Sequence, residues 1–365
     1  MLGVASQPLG AQQCADLDRP EARRLVAALD TMAAVAPVWS DFTIAHHPIV
    51  LVTQAADTSA PVCAAIWRFR RPLSVVPIER AVRFSTPLYG MWNGDPVGPN
   101  ARVKRLPGTS DAPILPPALE RTLREGGDTR VVIIRAILDF DRLGALGNAL
   151  RQMQVDPVSL LAPLAVHESY HLHSQFPAWL DQRGRYAWPV WDTQPDRRAM
   201  VARCYGGSDE VREALAAEMA ALEKAWLSSL EPTDDAARTG VRQEARAFVE
   251  ARRARYALLD TVRVPSPEGQ VTCERAEDVM ELQEGATQWI GHATAVRAGV
   301  VHASSAGRSS NEAFYVTGVF QLAIMQRLLG DQEMLRVTDA ITRSTRPSGP
   351  DGAVFGRFAA LVARD

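Results

Sequence analysis

The sequence predicts an α+β protein, in which a part of mixed strands and helices precedes a mainly helical part. Short apolar and β-branched runs occur within the first 140 residues, whereas long segments of helical periodicity with capping residues follow from about residue 141. We therefore expect two parts, residues 1–140 and residues 141–365, with the N-terminal α/β part packed on the helical part. The sequence contains no internal repeat and no low-complexity tract.

Three segments of the first part are strand candidates. Ile49–Val52 and Cys63–Phe69 are short and apolar or alternating, and Val131–Leu138 begins with a β-branched run that suits a buried strand. The segment of residues 72–117 is dense in proline and glycine, which predicts a loop, either a covering flap or a surface segment.

Helices are predicted through most of the second part. Ser208 is a predicted N-cap, because its hydroxyl precedes a first turn that carries acidic residues. Residues 177–195, with several prolines and nearby tryptophans, are predicted to form an irregular connector. The predicted helices cover residues 141–153, 159–175, 209–230, 235–260, 274–298 and 311–329.

Composition excludes several classes of protein. Hydrophobic residues make up 47% and charged residues 22% of the 365 residues, a balance typical of folded chains and not of disordered ones. The net charge of -2 argues against a dedicated nucleic-acid binder, which usually carries a basic excess. No apolar stretch reaches the roughly 20 residues that a membrane span requires. The oligomeric state is left open.

The cysteines and the N-terminus bear on the compartment without deciding it. The even cysteine count allows two disulfides outside the cytoplasm or free buried thiols inside it. Leu9–Gln12 resembles the tail of a secretion signal whose beginning is missing, which favours a periplasmic or secreted protein, whereas a true start at Met1 favours the cytoplasm. The cysteines are scattered and form no CxxC pair: Cys14, Cys63, Cys204 and Cys273.

The sequence His167-Glu168-Ser169-Tyr170-His171 is an HExxH motif. On a helix, positions four apart lie on one face, so both imidazoles can reach one metal ion. The glutamate beside the first histidine then points to a water molecule on that ion and can act as its general base. Pro157 and Ser159 predict the start of this helix, and Pro177 predicts its end.

A catalytic zinc usually has three protein ligands and one position for water. The extended metzincin pattern would need glycine at position 174 and histidine at position 177, where this chain has Ser174 and Pro177. Glu284 is the best candidate for the third ligand, since it is predicted mid-helix, where a carboxylate needs a partner, beside small residues that allow another helix to approach. Glu281, which could instead hold His167 or His171 by a hydrogen bond, and Asp192 are its rivals.

The HExxH motif and the downstream helix with Glu284-Gly285 resemble those of gluzincins, metallopeptidases whose zinc is bound by two histidines and a glutamate. The likeness covers the two motif helices and extends at most over residues 155–330. A helical insertion at roughly residues 180–270 would explain why Glu284 follows farther along the chain than in thermolysin-like enzymes. The resemblance implies a zincin-like fold for the helical part, a Zn²⁺ cofactor bound by His167, His171 and Glu284, and a peptide or protein substrate.

The same resemblance implies a side chain that stabilises the oxyanion opposite the general base Glu168. Tyr315 is the first choice for this role and His292 the second. The sequence therefore predicts a zinc-dependent hydrolase, most simply a metallopeptidase (a protease). Two alternatives stay open: a zinc hydrolase of a non-peptide amide, and a catalytically silent zincin-like binding protein. Intact Glu168 argues against the second alternative, because a structural metal site needs no base.

Three further histidines are set apart from the motif. His173 is two positions past His171 and is predicted to face away from both motif histidines, behind the site or at the surface. His46 and His47 could form a separate metal site, although adjacent histidines before a proline are more typical of a polar loop.

Overall fold

The structure is a computed structural model that describes residues 14–40, 42–53, 62–78, 82, 88–93, 115–179, 194–230, 234–266, 269–305, 313–343 and 354–364. The protein has the predicted α+β class, with a mixed five-stranded sheet in its N-terminal region and a helical C-terminal part. It divides into two compact units. The first unit contains the described residues of 1–36, 43–174 and 297–300, and the second those of 37–42, 175–296 and 301–365.

The first unit contains both helices and strands. In chain order they are α1 (Pro20–Ala34), β1 (Ile49–Val52), β2 (Val62–Trp67), β3 (Ser74–Ile78), β4 (Tyr89–Asn93), α2 (Pro117–Glu125), β5 (Arg130–Arg135), α3 (Ala145–Gln152) and α4 (Pro157–Tyr170). A π-helical turn, His171–Gln175, continues directly from α4 and is called the first π-segment.

The sheet has the strand order β3-β2-β1-β5-β4. Its central strand β1 pairs antiparallel with β2 and parallel with β5, with Val50 opposite Ile66 and Ile133. All four residues of β1 are buried, as expected for a strand covered on both faces. Helix α2 packs Leu119 and Leu123 into a core cluster with alternate residues of the sheet, and α4 contacts both β5 and α1.

The loop prediction for residues 72–117 is wrong at β3 and β4. Both strands lie at the edges of the sheet, where a residue without a backbone N–H, such as Pro77, and a glycine, such as Gly90, are tolerated. Their pairing with β2 and β5 outweighs their weak intrinsic preference. The N-terminal part was expected to be mixed α/β, but no individual helix was predicted there, and the structure has α1 and α2.

The second unit is mainly helical. Its elements are α5 (Phe176–Trp179), α6 (Gln194–Cys204), α7 (Asp209–Ser229), α8 (Asp235–Leu258), β6 (Arg263–Ser266), β7 (Gly269–Thr272), α9 (Cys273–Met280), a second π-segment (Glu281–Gly285), α10 (Ala286–Arg297), α11 (Ala313–Leu329), α12 (Asp331–Arg343) and α13 (Val354–Val362). Ser208 caps α7 as predicted, since its hydroxyl accepts a hydrogen bond from the Val211 backbone N–H at 3.3 Å. Pro177 lies within α5 and does not end the helical path, contrary to the prediction.

The core of the second unit is built around α7, α8 and α11. Helices α7 and α8 pack along their length, and α11 contacts α7, α12, α13 and the second π-segment. The rings of Trp226 and Phe320 stack with their centroids 4.3 Å apart, and Phe248 makes edge contacts with Phe355 and Phe358. Among the described residues, no helix is both long and apolar enough to cross a bilayer.

Candidate metal centre

The HExxH motif lies at the C-terminal end of α4, in the first unit. The helix begins where the sequence predicts, with Asp156 as the N-cap: its carboxylate accepts a hydrogen bond from the Ser159 backbone N–H at 3.0 Å, and Pro157 occupies the first turn. Arg24 of α1 pairs with the same carboxylate at 2.8 Å. This capping fixes the start of a helix whose last turn carries the motif.

The three motif side chains converge in a buried site. His167, Glu168 and His171 are 5%, 2% and 3% exposed. The Nε2 atoms of the two histidines are 3.1 Å apart, and their rings meet edge to face with centroids 4.8 Å apart. A carboxylate oxygen of Glu168 lies 3.7 Å from the His167 Nε2 atom. One ligand atom from each of the three side chains therefore lies within 4.8 Å of the others.

This geometry fits a shared metal ion. Two imidazole nitrogens on one tetrahedral zinc, each about 2.0–2.1 Å from the metal, lie roughly 3.3 Å apart. The observed 3.1 Å between the two Nε2 atoms is close to that spacing. Imidazole nitrogens with a neighbouring carboxylate are also a donor set that divalent transition metals prefer.

The candidate third ligand Glu284 lies in the second π-segment of the second unit. Its side chain is buried and one oxygen, Oε2, accepts a hydrogen bond from the Tyr315 hydroxyl at 2.7 Å. The other oxygen, Oε1, lies 3.0 Å from Nη2 of Arg197 and accepts a hydrogen bond from the Gln283 amide at 3.2 Å. The structure thus brings together two residues that the sequence singled out, Glu284 and Tyr315.

A close helix crossing explains how Tyr315 reaches Glu284. Gly285 of the second π-segment faces Gly318 of α11, and a Cβ atom on Gly285 would lie 2.7 Å from the Gly318 Cα atom. The small residue beside Glu284 therefore allows the approach of another helix, as predicted from the sequence. Tyr315 precedes Gly318 by one helical turn, which places its side chain at the level of Glu284.

Arg197 is a site residue that the sequence did not reveal. It lies near the start of α6, directly after the residues predicted to form an irregular connector. Its Nη2 atom donates to the Tyr315 hydroxyl at 3.2 Å as well as contacting Glu284. The only hint in the sequence is the Cys204 that ends the same helix, since a disulfide would anchor that helix to another part of the chain.

Glu281, the rival of Glu284, is engaged elsewhere. Its Oε1 atom pairs with the Arg252 guanidinium at 2.6 Å and accepts a hydrogen bond from the Thr317 hydroxyl, and its Oε2 atom accepts one from the Gln321 amide at 3.0 Å. Both carboxylate oxygens therefore have strong partners within the second unit. The other rival, Asp192, lies outside the described residues.

Glu281 belongs to a buried ionic network. Glu218 accepts hydrogen bonds from Arg252 at 2.8 Å and from Arg255 at 2.6 Å, and Arg255 makes a two-pronged contact with Glu277 at 2.7 and 2.6 Å. All five side chains are at most 1% exposed. The network connects α7, α8 and α9 to Glu281, the first residue of the second π-segment. It therefore holds in place the backbone segment that carries Glu284.

Burial and ion pairing shift the pKa values of the carboxylates in and beside this network in opposite directions. Burial alone would raise the pKa of Glu218, but the guanidinium groups of Arg252 and Arg255 lower it overall. Burial raises the pKa of Glu277 in spite of Arg255. Burial, followed by the charges of Glu281 and Glu274, raises the pKa of Asp278 well above its usual value.

Two of the histidines outside the motif, His47 and His173, contact each other. His173 stacks on His47 with the ring centroids 3.9 Å apart, and His46 is exposed. Burial and then the charge of His46 lower the pKa of His47 to about 4. His292, the second choice for oxyanion stabilisation, lies with its Nε2 atom 3.3 Å from the Ala303 carbonyl oxygen.

Two disulfides link the four cysteines. Cys14 pairs with Cys63 in the first unit, and Cys204 pairs with Cys273 in the second, with Cα atoms 5.3 and 5.5 Å apart. The even number of cysteines was compatible with two disulfides, but the sequence did not predict which cysteines pair. The second disulfide joins the end of α6 to the start of α9.

No family model matches this chain, no curated protein matches it, and no solved structure matches its fold. The resemblance to gluzincins therefore stays a prediction from the sequence motifs. The structure forms two candidate groups: His167, Glu168 and His171 in the first unit, and Arg197, Glu284 and Tyr315 in the second. Both groups include residues of a π-segment, a helical irregularity that is frequent at functional sites.

Proposed function

We propose that this protein is a zinc-dependent hydrolase of peptide bonds. The observation that carries the proposal is the buried convergence of His167 and His171, whose Nε2 atoms are 3.1 Å apart, with the Glu168 carboxylate beside them. HExxH hydrolases use two histidines at helical spacing as zinc ligands and the adjacent glutamate as general base.

His167 and His171 would hold the zinc through their Nε2 atoms, and Glu284 would be the third protein ligand. Glu284 is preferred over Glu281 because Glu281 is only 1% exposed and pairs with Arg252 at 2.6 Å inside the buried ionic network, whereas Glu284 is 8% exposed. When bound, zinc lowers the pKa of a water molecule towards about 7 and polarises the substrate carbonyl.

Glu168 is the general base in this proposal. Its carboxylate accepts a proton from the water that attacks the peptide carbonyl, and then delivers that proton to the leaving amine nitrogen. Burial of Glu168 at 2% exposure keeps bulk water from competing for this proton. In this proposal Tyr315 would exchange the hydrogen bond that its hydroxyl donates to Glu284 for one to the developing oxyanion.

The two disulfides support an oxidising compartment, since such bonds persist outside the cytoplasm and are rare within it. We therefore propose that the protein acts as a periplasmic or secreted enzyme. Alkylation of free thiols, followed by mass spectrometry of protein from that compartment, should detect four oxidised cysteines, and labelled thiols would contradict the proposal.

Metal content and hydrolysis together test the proposed function. Elemental mass spectrometry should find about one zinc per chain, retained in the exposed-histidine control His302→Ala and lost in His171→Ala and Glu284→Ala. Glu168→Gln should keep its zinc and lose at least about 100-fold in the rate of cleavage of a quenched-fluorescence peptide library.

Each outcome of these measurements decides between the alternatives. A wild-type protein that takes up no zinc when zinc is supplied would overturn the proposal. Zinc lost in His171→Ala but kept in Glu284→Ala would remove Glu284 from the ligand set. A zinc-loaded wild type that cleaves no peptide of the library would favour the binding-protein alternative.

A further inference from the structure

Arg197, Glu284 and Tyr315 form a closed triangle of polar contacts in the second unit. The Arg197 guanidinium contacts the Glu284 Oε1 atom at 3.0 Å and donates to the Tyr315 hydroxyl oxygen at 3.2 Å, while that hydroxyl donates to the Glu284 Oε2 atom at 2.7 Å. Both oxygens of the carboxylate are thus held, and the contacts define the plane and rotation of the carboxylate.

The guanidinium is itself fixed by its surroundings. It lies over the rings of Phe314 and Tyr315, with its central carbon 5.3 and 5.7 Å from the two ring centroids. Its side chain is only 18% exposed. Because a planar cation between aromatic rings and a buried carboxylate has few alternative positions, Arg197 has little freedom to move away from Glu284.

The helix that carries Arg197 is also anchored at its other end. Cys204, the last residue of α6, forms a disulfide with Cys273, the first residue of α9, and both cysteines are buried. Arg197 and Cys204 are separated by seven residues, about 10 Å along the helix axis. Helix α9 leads directly into the second π-segment, so α6 is tied at both ends to the stretch of chain that presents Glu284.

We propose that Arg197 is a positioning residue that orients the Glu284 carboxylate and the Tyr315 hydroxyl, and that the Cys204–Cys273 disulfide holds the helix from which it acts. The inference rests on the proposed function in treating Glu284 as a metal ligand. Groups that hydrogen-bond a metal ligand and fix its orientation typically contribute 10- to 100-fold to metal affinity.

The direction in which zinc affinity changes when Arg197 is replaced distinguishes a positioning role from a purely electrostatic one. The positive charge of Arg197 by itself disfavours a cation at Glu284, so its removal would tighten zinc binding if charge alone mattered. If Arg197 positions the carboxylate, its removal weakens zinc binding, because Glu284 then has to be ordered when the metal binds.

Zinc affinity is measured by competition with a chromophoric chelator. Arg197→Gln should bind zinc about 10- to 100-fold more weakly than the wild type, and Arg197→Lys, which keeps a donor and the charge, should recover part of the loss. Arg203→Gln is the matched control on the same helix, because Arg203 donates to the Arg263 carbonyl oxygen and does not contact Glu284. Zinc affinity in Arg197→Gln that is equal to or tighter than in the wild type would overturn the inference.

The role of the disulfide is tested with a matched pair of variants. Replacing Cys204 and Cys273 together by serine should weaken zinc binding in the same direction as Arg197→Gln. Replacing Cys14 and Cys63 by serine removes the disulfide of the first unit and should leave zinc affinity within about twofold of the wild type. Equal losses in the two double variants would refute a specific role for Cys204–Cys273.

A wild type that binds no zinc would overturn the proposed function. The positioning role of Arg197 can still be tested in that case by a measurement that does not involve metal. Denaturant unfolding of Arg197→Gln, Tyr315→Phe and the double variant forms a cycle. Each variant is described by the factor by which it raises the unfolding equilibrium constant. If the three side chains act as a unit, the factor for the double variant should be about fivefold smaller than the product of the two single-variant factors. Multiplicative effects would show that Arg197 and Tyr315 act independently, and would overturn the positioning role.

Discussion

Gly285 and Gly318 cross with their backbones in direct contact. A Cβ atom on Gly318 would lie 2.6 Å from the Gly285 Cα atom and 3.0 Å from the Glu281 carbonyl oxygen. No flexible side chain can move aside there, since each close atom belongs to the backbone of the second π-segment. This contact sets the distance between the π-segment and α11, and therefore the hydrogen bond between Glu284 and Tyr315.

We expect Gly318→Ala to destabilise the protein by about 1–3 kcal/mol, because an added methyl group must push two backbones apart. Denaturant unfolding measures the change. Gly240→Ala is the control. This position lies within α8, and a methyl group added there would meet no atom of the described residues within 4 Å, so alanine should stabilise by about 0.5–1 kcal/mol. Equal stability of Gly318→Ala and the wild type would contradict the close crossing.

Glu218 accepts hydrogen bonds from the Nε atoms of two buried guanidinium groups, so Glu218→Gln should leave both Arg252 and Arg255 without one of their charged partners. The expected loss is about 3–5 kcal/mol in the free energy of unfolding. Glu223→Gln, at an exposed position of the same helix, should change stability by no more than about 0.5 kcal/mol. Similar losses in the two variants would argue that the network does not stabilise the fold.

Asp278 is buried, and its Oδ1 atom has no hydrogen-bond partner among the residues that the structure describes. Its pKa is raised by burial and by the charges of Glu281 and Glu274. The folded state therefore retains a proton that the unfolded state releases above its ordinary pKa of 3.8. The contribution to stability is complete below that pH and is lost as the pH rises towards the folded-state pKa. Asp278→Asn should consequently be more stable than the wild type at pH 7.

Unfolding curves at pH 4 and pH 7 check this prediction, and the advantage of Asp278→Asn should shrink at pH 4. An advantage that is the same at both values would show that the carboxyl group does not titrate with folding.

His47 gives the opposite pH dependence. Burial and the charge of His46 lower its pKa from 6.5 to about 4, so the unfolded state binds a proton that the folded state does not over this range. The free energy of unfolding should therefore fall as the pH is lowered from 6.5 to 4. In His47→Gln this slope should be smaller, though not absent, because the stacked His173 also has a lowered pKa. An unchanged slope in titrations of stability against pH would contradict the assignment.

The sequence by itself determined the features that depend on local chemistry. The β-branched and apolar runs predicted β1, β2 and β5, and Ser208 predicted the start of α7, because these preferences act over a few residues. The spacing of the HExxH motif placed both histidines on one helical face for the same reason. The glycine after Glu284 predicted a close helix approach, which the structure has at Gly318.

The tertiary structure decided what depends on partners far along the chain. Arg197 contacts Glu284 only because α6 is brought to the second π-segment, and β3 is a strand only because β2 supplies its hydrogen bonds. Pairing of the cysteines, the partners of Glu281 and the two π-segments likewise arise from long-range packing, which no local periodicity encodes. The physical reason is that local preferences are weak, whereas burial and ion pairing between distant segments select one arrangement among those that the preferences allow.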